Sequence, residues 1–172
     1  MTTWTHGLLA FSIYQPFKKY NWKKAVWWAI FSDLFWGIPL TIYLLISHAS
    51  IPNDFNQAPS WFYTLYGLSH SFVVAFIVIG IVYYITKKFQ SEMLAWPFLH
   101  ILMDIPGHTY FQTPFLYPLS NFSIHGFFSW TDKYFDIASY IIPLLIIGFT
   151  FFGKKLLQKN IKVDHPRGVR ES

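Results

Sequence analysis

The chain has 172 residues, of which 53% are hydrophobic, 22% aromatic and only 12% charged, and its mean hydropathy is +0.33. A water-soluble domain carries about 25% charged residues, so this composition excludes an ordinary soluble domain and implies one membrane-embedded domain over residues 1–172. The formal charge of +5 falls in short clusters that border apolar segments, as membrane-edge anchors do rather than a nucleic-acid groove, and the lack of cysteine excludes disulfides, thiolate metal sites and a cysteine nucleophile.

Along the chain, His6 to Phe17 reads as a short N-terminal helix lying in the interface or dipping into the bundle, with no cleavable signal ahead of it. Lys18-Lys19 and Lys23-Lys24 then introduce a first span, Ala25 to His48, which carries Asp33 and a kinking Pro39. A second span, Trp61 to Thr86, carries His70 and is closed by Lys87-Lys88. A shorter candidate, Ser91 to Ile105, carries His100 and Asp104 and is expected to end before Pro106-Gly107. Residues 106–133 are rich in Pro, Gly and aromatics and read as an ordered lid on the outer side. The last span, Tyr134 to Phe152, is closed by Lys154-Lys155 and followed by a basic tail, 154–172.

Placing every lysine cluster on the cytoplasmic side requires an even number of crossings. The expected architecture is therefore all-α, a transmembrane bundle of about four helices plus the N-terminal short helix, with both termini cytoplasmic.

Counting about 1.5 Å per residue from the lysine borders, Asp33, His70, His100 and Asp104 fall at overlapping depths inside hydrocarbon. An aspartate there costs about 2.5–3.5 kcal/mol, and no basic residue lies within the spans to offset it. A divalent cation does so: two carboxylates, two imidazoles and one 2+ ion form a neutral cluster. His and Asp without thiolates suit zinc or another borderline transition metal, and the i, i+4 step from His100 to Asp104 puts both on one helix face. Taken singly, each histidine reads more readily as a hydrogen-bonding core residue than as a ligand, and each aspartate as a protonated one.

Of the remaining histidines, His6 is a further ligand candidate. His108 is either a loop residue over the site or a ligand of a second metal, and His125 could cover the same opening. His48 reads as interfacial and His165 as solvated.

The order "THGLLAF", "SDLFWG", "LYGLSHS" and "HILMDIPGHTYFQTPFLYPLS" resembles the bacterial and archaeal family of membrane-bound, LexA-regulated YdjM-like metal-dependent hydrolases across most of residues 5–120. By that resemblance His6 matches the family's early histidine, Asp33 its first aspartate, His70-Ser71 a closing His-Ser, and His100 with Asp104 the paired ligands. Leu65-Tyr66 stand where the family has His-Arg, and Leu34-Phe35-Trp36 replace the second half of its acidic motif. The family is distantly similar to zinc-dependent phospholipase C. The resemblance thus implies a prokaryotic plasma-membrane hydrolase that cleaves a phosphoester or lipid substrate with a metal-activated water, with Asp33, Asp104 and His108 in catalytic roles. The alternatives are a non-catalytic subunit of a larger membrane assembly with a structural metal, and a b-type haem protein ligated by His70 and His100.

Overall fold

Helix starts in so apolar a chain are marked by the few side chains able to accept from otherwise unpaired backbone amides. The computed structural model describes residues 2–48, 59–109 and 111–163, with side chains described as far as residue 153. After α1 (Thr3–Tyr14), Asn21 caps α2 (Trp22–Ser47) by accepting from the amides of Lys23 and Lys24 at 3.1 and 3.3 Å. The second apolar run forms two helices, α3 (Ser60–Ser69) and α4 (Phe72–Thr86), bent by 57° at His70-Ser71; Ser71 caps α4 through the amide of Val74. A 3-10 turn (Ser91–Leu94), a π-helical turn (Pro97–Ile101) and α5 (Leu102–Gly107) follow, and α6 (Lys133–Val163) closes the described chain.

The all-helical class stands: no strand occurs among the described residues, which hold only an isolated bridge between His108 and Ser129. The structure supplies two helices long and apolar enough to cross a membrane, α2 and the Lys133–Gly153 part of α6, and three such spans if the bent α3–α4 pair counts as one. The fourth expected span, Ser91 to Ile105, lies in a helical stretch that changes pitch from 3-10 to π to α and does not qualify by length as a crossing helix. Pro106-Gly107 does not stop α5 as expected. Pro106 lacks an amide, but α5 ends one residue later, and the Pro106 carbonyl is satisfied by the amides of Phe127 and Phe128 at 2.9 and 3.0 Å. α6 runs past Lys154-Lys155 to Val163, so the first part of the expected basic tail has helical backbone. Residues 164–172, including His165, lie outside the described residues.

Alanines bring the elements close. Ala10 of α1, Ala25 and Ala29 of α2, and Ala95 are fully buried together, so three backbones approach without intervening side chains. Large apolar groups on α2 and α6 face outward instead, with Ile46 76% and Phe149 82% exposed, as lipid-facing positions are.

The expected lid is present as irregular chain folded back on α5: Gly126 donates to the His108 carbonyl at 3.2 Å and Trp130 to that of Gly107 at 3.0 Å. A Cβ on Gly126 would lie 2.7–2.9 Å from three backbone atoms of His108, which cannot move aside cheaply. Gly126→Ala is therefore expected to destabilise the protein by about 1–3 kcal/mol. Gly80→Ala, which meets nothing within 4 Å, should be neutral or slightly stabilising; thermal unfolding of both variants in detergent checks the pair.

Candidate metal centre

The breaks in the helices deliver the site. His70 sits at the α3–α4 bend, and backbone groups that the bend frees find partners. The Ser69 carbonyl accepts from Ser32 Oγ and Trp96 Nε1, each at 2.7 Å, the Phe72 amide donates to the Phe115 carbonyl at 2.9 Å, and Ser71 Oγ donates to the Tyr117 carbonyl. Irregular backbone at membrane depth is tolerated where protein supplies such partners. His100 sits in the π turn, a distortion that recurs at functional sites, and Asp104 follows in α5.

Asp33 of α2, His70, His100 and Asp104 converge, each offering one ligand atom within 4.8 Å of the others. His70 Nε2 and His100 Nε2 are 3.0 Å apart; they lie 3.4 and 3.3 Å from Asp104 Oδ2, and 3.6 and 3.5 Å from Asp33 Oδ1. A tetrahedral ion with ligands at about 2.0–2.1 Å requires donor-to-donor edges of about 3.3 Å. Five of the six edges bracket that value, and the sixth, between Asp33 and Asp104, is within 4.8 Å, so the donor set is one that a four-coordinate transition metal can draw together.

Hydrogen bonding assigns the tautomers. His100 Nδ1 donates to the Ala29 carbonyl at 2.6 Å. His70 Nδ1 faces the Tyr66 carbonyl and the oxygens of Ser69 and Ser32, both of which already donate to carbonyls. The protons are thus held at Nδ1, and both Nε2 lone pairs point at the two carboxylates. Four acceptors facing one another repel unless a cation joins them. The seven lysines at or before Lys133 are all exposed, so no buried ammonium among the described side chains fills that role.

The remaining predicted residues have other places. His6 is fully buried, donates from Nδ1 to the Leu99 carbonyl, and lies with Nε2 2.9 Å from Asp104 Oδ1, the oxygen not shared with the four donors. His108 Nε2 lies 3.5 Å from the same oxygen, and its Nδ1 donates to the Phe111 carbonyl at 2.9 Å. Both therefore approach Oδ1 through Nε2, and Oδ2 is the oxygen that enters the cluster of four. His48 is the exposed C-cap of α2, and His125 is exposed and donates from Nδ1 to the Gly126 carbonyl, so neither reaches the site.

Sequence reasoning missed the supporting residues. Ser32 touches His70 Nδ1, and the Tyr66 ring stacks on His70 with centroids 4.0 Å apart while its hydroxyl meets His108 Nδ1 at 3.0 Å. Their signal was available as position: Ser32 adjoins Asp33, and Tyr66 precedes His70 by one helical turn. A cavity of about 310 Å³ reaches Asp33, Tyr66 and His108. Asp33, at 13% side-chain exposure, is the ligand that opens the cluster to it.

Comparison of the chain with protein-family models, with curated proteins and with solved structures finds no match. The chain is thus an all-helical protein with apolar, membrane-length helices and a buried Asp/His cluster able to hold a metal ion.

Metal analysis by mass spectrometry should find about one transition-metal ion per wild-type chain. His70→Ala and Asp104→Ala should each lose most of it, because the other buried charges are left uncompensated. Ser32→Ala should weaken affinity about 10- to 100-fold, as loss of an orienting partner does, and His48→Ala should leave metal content unchanged.

Proposed function

We propose that this chain is a membrane-embedded zinc-dependent hydrolase that cleaves an ester-type bond with an activated water. The observation that carries the reading is the four-donor cluster, five of its six edges at 3.0–3.6 Å, placed beside a cavity: a purely structural ion has no need of one. Two carboxylates and two imidazoles without thiolates favour zinc. When bound, the ion lowers the pKa of a water toward neutrality and polarises the oxygen of the scissile group.

The chain's own groups supply the rest. His108 keeps its proton on Nδ1 against Phe111, so Nε2 is free to take a proton from a water in the cavity. Asp104 would bind the ion through Oδ2, leaving Oδ1 toward His6 and His108. Tyr66 closes the wall between His70 and His108.

The YdjM-like resemblance supports the same class and suggests a phosphoester on a lipid. In this reading the protein sits in a prokaryotic plasma membrane with both termini cytoplasmic, and the segment from Ser91 to Gly107 returns the chain toward the outer face. A haem between His70 and His100 has no geometric support: axial nitrogens each about 2 Å from iron lie about 4 Å apart, whereas these are at 3.0 Å.

Hydrolysis of fluorogenic ester and phosphoester lipids by the purified protein is the test. Activity should vanish on chelation and return with zinc, Asp33→Ala should abolish it, and His108→Gln should lower kcat about 10²-fold or more while metal content is kept. A protein that holds its metal and hydrolyses none of these substrates is a structural metalloprotein instead.

A further inference from the structure

Residues 105–131, which join α5 to α6, contain no Asp, Glu, Lys or Arg. This part of the chain nonetheless leaves large apolar side chains bare. Leu119 and Phe127 are 80% and 81% exposed, and Leu116, Phe122, Ile124 and Phe128 are exposed as well. So many apolar groups in so short a stretch exceed what a water-facing surface leaves uncovered, and they mark contact with a partner or a membrane.

Depth decides between the two. α4 has 15 residues between Ser71 and the Lys87-Lys88 border; at about 1.5 Å per residue it rises about 22 Å, in a hydrocarbon core about 30 Å thick. Phe72 therefore lies within the leaflet opposite that border, about 8 Å short of its edge, and deeper if α4 tilts. The returning chain is tied to this level: the Phe72 amide donates to the Phe115 carbonyl at 2.9 Å, Ser71 Oγ donates to the Tyr117 carbonyl, and the Phe115 ring meets those of Phe72 and Phe122 at 6.1 and 5.8 Å. At its other end Phe128 stacks on Phe135 of α6 with centroids 5.4 Å apart, beside the exposed Tyr134 and Ile137. The bare side chains thus continue the lipid-facing surface of α6.

The backbone suits that position. Irregular chain near hydrocarbon must satisfy its own donors. The amides of Phe115, Tyr117, Leu119 and Ser120 donate to the carbonyls of Thr113, Pro114 and Leu116 at 2.9–3.2 Å, that of Phe122 donates to Ser120 Oγ at 3.0 Å, and Pro114 and Pro118 have no amide. A second protein is the poorer partner, because protein interfaces carry a polar and charged rim and this stretch offers no charge.

We infer that residues 114–128 form a membrane-inserted surface, with these six side chains among the acyl chains of the leaflet opposite Lys87-Lys88, at its boundary with the head groups. The partner is lipid, held by apolar burial and not by attraction to anionic head groups. The inference goes beyond the hydrolase reading and stands or falls without it.

The chain lacks cysteine, so single nitroxide labels can be placed cleanly. The full-length protein in phosphatidylcholine nanodiscs, which leave both faces open to water, is labelled at Leu119→Cys and Phe127→Cys, whose side chains pack little. Phe122→Cys replaces either variant if its unfolding temperature falls. Leu145→Cys on α6 is the lipid-facing control and Lys88→Cys the water-facing one. Collision rates with oxygen and with a water-soluble nickel chelate are read by electron paramagnetic resonance. At both test positions the oxygen-to-nickel ratio should lie nearer to Leu145→Cys and several-fold above Lys88→Cys, because the polar chelate is excluded from acyl chains. A ratio nearer to Lys88→Cys at either position, the result for a lid facing water, overturns the inference. So does low access to both reagents, the result for a surface covered by protein.

Discussion

Two carboxylates held away from water, with every described lysine at the surface, are the constraint around which this protein is built. Asp33 and Asp104 are tolerable together only if positive charge joins them, and the side chains that reach them are neutral imidazoles presenting lone pairs. The proton positions follow from the backbone: the carbonyls of Ala29, Tyr66, Leu99 and Phe111 each hold the Nδ1 side of a different histidine. Nε2 is thereby left for the interior in all four. A cluster of this kind is repulsive when empty and cohesive around a cation, which couples metal binding to the stability of the fold.

The irregular backbone is where that cluster is assembled. A straight second span would carry His70 along the helix wall, whereas the 57° bend turns it inward and exposes the Ser69 carbonyl to Ser32 and Trp96. The π turn places His100 against α2, and α5 sets Asp104 one turn further on. The bend draws partners from Ser32, Trp96 and Phe115 of the returning segment, as freed backbone groups at membrane depth require. The lid and the metal centre are thus one structure: Thr113 and Phe111 reach Tyr66, and Tyr66 packs on His70.

Neutrality at the cluster has a consequence for the adjoining cavity. Once the ion and its two carboxylates cancel, selection falls to the aromatic walls and to the few polar groups among them. Trp36 lies three residues beyond Asp33 on α2, so one helix contributes both a candidate metal ligand and an aromatic wall to the same space. This couples the chemistry of the ion to the recognition of its neighbour without any charged specificity group.

The sequence by itself determined the class of environment, because composition and lysine borders report the solvent each segment meets. It also singled out Asp33, His70, His100 and Asp104, since ionisable groups deep in apolar runs demand mutual compensation wherever the chain brings them together. The N-terminal helix and the ordered segment after α5 were legible for similar reasons. Tertiary structure alone decided how many continuous spans exist, that the Ser91–Gly107 stretch changes pitch from 3-10 to π to α, and that His6 and His108 flank one oxygen of Asp104 while the other enters the cluster. Those outcomes depend on which backbone carbonyl or serine lies across a helix interface. Hydrophobic periodicity and depth carry no information about such partners, which are contributed by residues up to 93 positions away.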